Sequence, residues 1–248
     1  MRTGNPALND QTFTGFQYAR GVAQSMSIQG TVNKTGLLLL LALCSASWTW
    51  NLYYESGNPA AVTPWVFGGA VGGLIVAFVT MWKKPWAAVT APAYALLEGL
   101  VLGGLSSILE AQYPGIAFQA VGLTFGTLVS LLLAYRSGLI RATENFKLGV
   151  VAATGGIFVV YLVTLGLGMF GVQIPGVYGN GMVGIGFSLF VVGLAALNLV
   201  LDFDFIETGA ANRAPKYMEW YAAFGLIVTL VWLYIEILRL LAKLRSRD

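Results

Sequence analysis

"YAAFGLIVTLVWLYIEILRLLA", residues 221–242, carries only two charges, Glu236 and Arg239, and no proline. At about 1.5 Å of rise per residue, an α-helix of this length covers the ~30 Å hydrocarbon core of a bilayer. Apolar residues follow one another continuously rather than alternating, which excludes a barrel strand. Runs of the same kind recur at 36–54, 62–82, 87–109, 116–135, 148–170 and 181–201, with the last span placed at 220–242. The breaks between them, "ESGNPAAVTP", "KKP", "EAQYPG", "RSGLIRATENFK" and "QIPGVYGNG", hold the turn residues and charges. Of the 248 residues, 57% are hydrophobic and 10% charged, well below the roughly 25% charged of a soluble domain. The sequence therefore predicts an all-α integral membrane protein, a seven-transmembrane-helix bundle. Its expected parts are an N-terminal arm over 1–35, a membrane domain over 36–242 and a basic tail over 243–248.

Lysine and arginine placement sets the expected orientation. Arg2, Arg20, Lys34, Lys83, Lys84, Arg136, Arg141, Lys147, Arg213 and Lys216 fall on one side, and the three loops of the other side have none. The N-terminus is thus expected in the cytoplasm, and these cations are expected to face anionic headgroups. Arg239, Lys243, Arg245 and Arg247 break the pattern if the last segment crosses fully, which its unbroken length favours. No apolar leader precedes the first span, so that span is expected to act as its own insertion signal. The single cysteine, Cys44, lies within the first span and is expected to be a packed thiol.

The absent residue types narrow the function. Without histidine there is no H-E-x-x-H zinc protease, Ser-His protease or His-ligated haem site. The last helix has no lysine before Lys243, where a retinal protein needs one inside. No phosphate-loop motif is present, and "GGAVGG" (68–73) and "GLVLGG" (99–104) read as small-residue helix interfaces. No enzyme activity and no cofactor are expected. An aspartyl intramembrane protease is disfavoured because "VLDFDF" lacks the G-x-G-D setting. No aromatic-interleaved basic patch points to nucleic acid.

Ionisable groups within spans are costly and mark function. Glu98 lies in mid-span. Asp202 is read as closing the sixth span, one turn after Asn198, so both share a face. Asp204 is read as lying past the span end and solvated. Glu236 precedes Arg239 by three residues, a spacing for a local ion pair. Asp202, Asn198, Glu98, Thr229 and Asp204 supply the hard oxygens that a weak calcium path requires.

At these residues a resemblance enters. "LNLVLDFDFIE" (197–207) followed by "AAFGLIVTLVWLYIEILRLL" (222–241) resembles the last two helices of the Bax inhibitor-1 family, and the arm "NPALNDQTFTGF" resembles a bacterial branch of it. The resemblance implies six helices around a central C-terminal helix and a pH-modulated passive calcium leak. It also implies an aspartate near the end of the sixth helix meeting another in the seventh. Asp202 matches the first; an ungapped register on Arg239 puts Thr229 at the second, and a shifted one puts Glu236 there. The expectation is then a calcium and proton-responsive leak of a bacterial cytoplasmic membrane, gated at Asp202 with Thr229 or Glu236. Its ion path would use Glu98, Asn198 and Asp204, with weak calcium contact at Asp202 and Glu98. The other class of function is a non-transporting protein that binds membrane-protein partners in quality control or stress response.

Overall fold

The computed structural model describes residues 25–170 and 179–246. Among these, seven helices are long and apolar enough to cross a membrane. They are α1 (Ile28–Ser56), α2 (Pro59–Trp82), α3 (Ala87–Gln112), α4 (Ile116–Arg136), α5 (Glu144–Met169), α6 (Met182–Ala211) and α7 (Met218–Arg245). A short 3-10 turn, Lys84–Trp86, leads into α3. The protein is an integral, multi-pass, all-α membrane protein.

Helix starts follow local chemistry. Ser27 Oγ accepts from Gly30 N, Asn58 Oδ1 from Ala60 N, and Thr143 Oγ1 from Phe146 N, each satisfying an otherwise orphaned amide. Gly57, at φ 61, takes the left-handed turn that closes α1.

α7 is the most enclosed helix, with 61% of its apolar window buried against 17–44% for the others. It packs against α1, α3, α4 and α6, while α2 sits mainly against α3. Met218, Tyr221, Phe224, Ile227 and Leu233 of α7 are fully enclosed. Around them gather Ala91 and Tyr94 of α3, Leu38 of α1, Ile116 and Ala120 of α4, and Leu199 of α6. Small and medium side chains predominate on the partners, which lets the backbones approach closely.

Several expectations need correction. α1 begins at Ile28, inside the segment assigned to the arm, and α7 runs through Arg245, inside the assigned tail. α6 continues to Ala211, so Asp202 lies within the helix rather than at its end. Cys44 is exposed instead of packed. Arg2, Arg20 and most of the arm, Tyr178 and Arg247 lie outside the described residues.

α7 runs the full height of the bundle. Near its start, Glu219 meets Ser27 and Lys34 at the beginning of α1. At its end, Arg245 donates to Pro114 O (2.7 Å) and Gln119 Oε1 (3.0 Å), in and after the α3–α4 turn. Three of the four cations that broke the loop pattern, Arg239, Lys243 and Arg245, are held by the protein itself. Lys243 Nζ donates to Gly184 O (3.1 Å) and Ser188 Oγ (2.9 Å), and Arg239 pairs with Glu236. Internal acceptors take up these three charges.

Candidate functional site

α5 is apolar over most of its length, but Lys147, Thr154 and Tyr161 recur every seven residues. Seven residues fall about 20° short of two full turns, so the three side chains form one slowly drifting stripe. Successive members are ~10.5 Å apart along the axis. Val150 and Ile157 flank the stripe and pack against Val191, Leu194 and Leu201 of α6, which places the polar groups at that interface.

Each member of the stripe finds a partner. Lys147, only 2% exposed, pairs with Asp204 Oδ2 at 2.8 Å. Thr154 Oγ1 accepts from Asn198 Nδ2 at 2.9 Å, and the same amide donates to Leu194 O. Tyr161 OH donates to Glu236 Oε1 at 2.9 Å and accepts from Arg239 at 2.9 Å. Arg239 also reaches both Glu236 oxygens at 3.2 Å. Lys243, with Ser188 and the Gly184 carbonyl, extends the series one turn further. A polar seam thus runs between α5, α6 and α7 from the α1-start side of the bundle to the opposite side.

The middle of the seam is the least satisfied part. Asn198 is 2% exposed, yet its Oδ1 accepts no hydrogen bond among the described residues. A buried amide oxygen left without a donor costs about 1–3 kcal/mol, which makes it a place where a water or ion gains most. Asp202 follows one turn later on α6 and is 0% exposed. Among the described residues no three acidic or cysteine side chains gather into a metal cluster. The seam offers a succession of single oxygens.

The sequence-selected residues divide accordingly. Asn198, Asp204 and Glu236 lie on the seam, with Glu236 and Arg239 forming the i, i+3 pair. Asp204 was expected to be solvated; it sits on the extended α6, its side chain 19% exposed, and pairs with Lys147. Lys147 was expected at the headgroups, and is buried because its helix turns it toward α6. Asp202 is not at a helix terminus, so the carbonyl end of the helix dipole does not act on it. Thr229 is buried on α7, and its hydroxyl donates to Gly225 O of its own helix at 3.3 Å. Glu98 stands on a different interface: a Cβ on Gly73 of α2 would lie 2.9 Å from its Oε1.

Sequence reading missed Thr154 and Tyr161, and the seven-residue polar spacing of α5 was the signal available. It also missed Glu219. This carboxylate is fully enclosed and takes Lys216 (2.8 Å), Lys34, and both the amide (2.9 Å) and hydroxyl (2.8 Å) of Ser27. The Lys216–Glu219 spacing of three was legible, but its long-range partners were not.

No curated protein and no solved structure matches the chain. The family model described as Bax inhibitor 1 like matches residues 5–246. With nearly its whole length matched, and with its seven-helix bundle, the chain belongs to the Bax inhibitor 1 like family.

Proposed function

We propose that this protein is a passive cation leak, permeable to calcium, in which Asp202 carries the proton response. The observation behind it lies on α6: Asn198 Oδ1, on the seam, accepts no hydrogen bond among the described residues, and the fully buried Asp202 follows one turn later. Hard, singly placed oxygens bind a calcium ion weakly, and weak serial binding lets the ion leave again. Lys147 acts in this scheme as a tethered cation. Its ammonium occupies the Asp204 oxygen that an entering ion would use. Arg239 does the same at Glu236 on the other side. Movement of α5 away from α6 withdraws Lys147 from that mouth. Protonation of Asp202 removes the charge that attracts the ion and changes its hydrogen bonding, which biases closed against open packings. Thr229 on α7, whose own proton goes to Gly225 O, is the acceptor for a protonated Asp202 in this scheme, and Glu98 supplies a further oxygen from the α2–α3 interface. The N-terminal arm and its loops face the cytoplasm in a bacterial cytoplasmic membrane.

The test is calcium entry into liposomes that contain the purified chain and an enclosed calcium dye. Wild type should leak faster than protein-free vesicles, with a rate that follows pH as a single proton. Asp202→Asn should flatten that curve, Glu98→Gln should lower the rate, and Glu236→Gln should leave the shape of the curve intact. A two-proton profile reduced to one by Glu236→Gln would replace Thr229 by Glu236 as the partner. Vesicles no leakier than empty ones would favour a protein that binds membrane partners without transport.

A further inference from the structure

α1 and α4 lie on either side of a cavity of about 530 Å³, floored by α3 and the central helix α7. Its lining runs along α1 from Leu39 to Asn51, about 18 Å of helix rise. Half of a bilayer's hydrocarbon core is about 15 Å. The cleft therefore has the depth of one leaflet. Trp50 stands at its mouth, and Trp48 stacks edge-on with Trp65 at 4.7 Å nearby. Such rings collect at headgroup level, so the mouth opens there and the deep end reaches the bilayer middle.

The helices cannot close this gap. A Cβ on Gly99 or Gly103 of α3 would collide with the carbonyl of Ala42 or Ala46, so α1 is seated backbone to backbone on α3. α4 is seated on α7 through the fully buried Ile116 and Ala120 and through Arg245 at Gln119 and Pro114. Water has little to bind in the cleft. Ser106 and Tyr234 hydrogen-bond each other at 2.7 Å, Thr124 donates to Ala120 O, and Glu110 takes the amides of Gly115 and Ala117. Asn51 lies at the outer end of the lining, and the deeper part, apolar with its polar groups already paired, stays dry. An empty cleft forfeits dispersion contacts along its whole lining.

We propose that the cleft holds one acyl chain of a lipid from the leaflet on the α3–α4 turn side, laid against Leu230 and Tyr234 of α7. The central helix then touches lipid directly within this cleft, and the bound chain is a structural part of the α1–α4 wall. None of this depends on ion transport.

The experiment uses the full chain in phosphatidylcholine vesicles containing a phosphatidylcholine with a diazirine in its acyl chain. After irradiation, adducts are mapped by mass spectrometry. Adducts are expected on Leu230 or Tyr234 of α7, as well as on lipid-facing Phe158 of α5. Ala46→Phe, which fills the cleft from α1, should cut the α7 adducts several-fold and leave Phe158 labelling unchanged. Val121→Trp fills it from α4 and serves if the first variant does not fold. Labelling of Phe158 without adducts on α7 would overturn the proposal, as would α7 adducts that persist in both variants. Val121→Cys in a Cys44→Ser background tests the other occupant. A disulfide-linked dimer would place a second copy of the chain in the cleft and also overturn the proposal.

Discussion

Glycine is frequent on both the α1–α2–α3 side and the α5 side of the bundle, and the two sides use it differently. On α2 and α3, a Cβ at Gly69, Gly99 or Gly103 would run into the backbone carbonyls of Leu97, Ala42 or Ala46. On α5, a Cβ at Gly149, Gly155, Gly156, Gly166 or Gly168 would meet nothing within 4 Å. The first set brings helices into backbone contact, as small residues do in lipid. The second set is spread around α5 and brings no other helix into contact. α5 is held instead by its polar stripe and by the small apolar patch around Val150 and Ile157. One half of the molecule is fixed by shape, and the other is attached at a few polar points.

If shape fixes the first half, Gly103→Val should be the most damaging change. The added side chain collides with the Ala46 carbonyl and the Thr49 hydroxyl, neither of which can move without shifting α1. Overpacking of this kind costs about 1–3 kcal/mol and sometimes more, and the upper end is expected here. Denaturant titration of the purified protein, read by helix content, measures it. Gly72→Ala is the internal control, because its nearest obstacle is the flexible end of the Leu97 side chain, 3.3 Å away. Equal losses in the two variants would mean that the α1–α3 contact is softer than its geometry.

Glu219→Ala comes next. Removing a fully enclosed carboxylate leaves Lys34 and Lys216 facing each other with the Ser27 amide unsatisfied. Breaking a buried pair costs about 3–5 kcal/mol, but Lys216 is half exposed and can turn to water. A loss of about 2–3 kcal/mol is therefore expected. The variant should also expose the start of α1 to protease. An unchanged cleavage pattern would separate this cluster from the anchoring of α1 on α7.

On the polar side, effects on stability should be smaller and effects on leak larger. Lys147→Met removes two ion pairs, to Asp204 and to the exposed Glu144, and Asp204 retains partial access to water. About 1 kcal/mol of stability should go, while calcium entry should rise because the tethered cation is gone. Thr154→Val should cost a similar amount through Asn198, with a weaker effect on leak. A Lys147→Met variant that leaks no faster than wild type would return the pair to a purely structural role.

The sequence shows the seven helices and their order plainly, because a bilayer forces long apolar runs that composition alone reveals. The helix ends were less legible. α6 carries Asp202 and Asp204 on its final turns because Lys147 and the other bundle helices accommodate them, and no local signal records that partner. The site was legible in part. Asn198, Asp202 and Glu236 stand out as polar residues in apolar runs, whereas Thr154 and Tyr161 are common residue types that gain meaning only from their seven-residue spacing. Glu219 was hidden for another reason: its partners Ser27 and Lys34 are nearly the whole chain away. Lys147 shows the converse error, since a cation near a predicted helix end reads as a headgroup contact until a facing helix is known.

The smallest expected effect is the sharpest discriminator of the two halves. Gly155→Ala and Gly156→Ala add a methyl group where no atom stands within 4 Å, so no collision opposes them. Alanine is a better helix former than glycine by roughly 1 kcal/mol in water. In lipid, where an unpaired backbone is already excluded, the gain should be smaller. Each variant should therefore be neutral or slightly stabilised, within about 0.5 kcal/mol, and its calcium leak should match wild type. Gly103→Ala, the same chemical change, should destabilise clearly. A clear loss at Gly155 or Gly156 would require a close neighbour for α5 in the membrane, such as a second copy of the chain. Crosslinking through a cysteine at Phe158 in a Cys44→Ser background would then locate that neighbour. Neutrality at α5 beside a loss at Gly103 would establish that glycine sets helix distance only on the α1–α3 side.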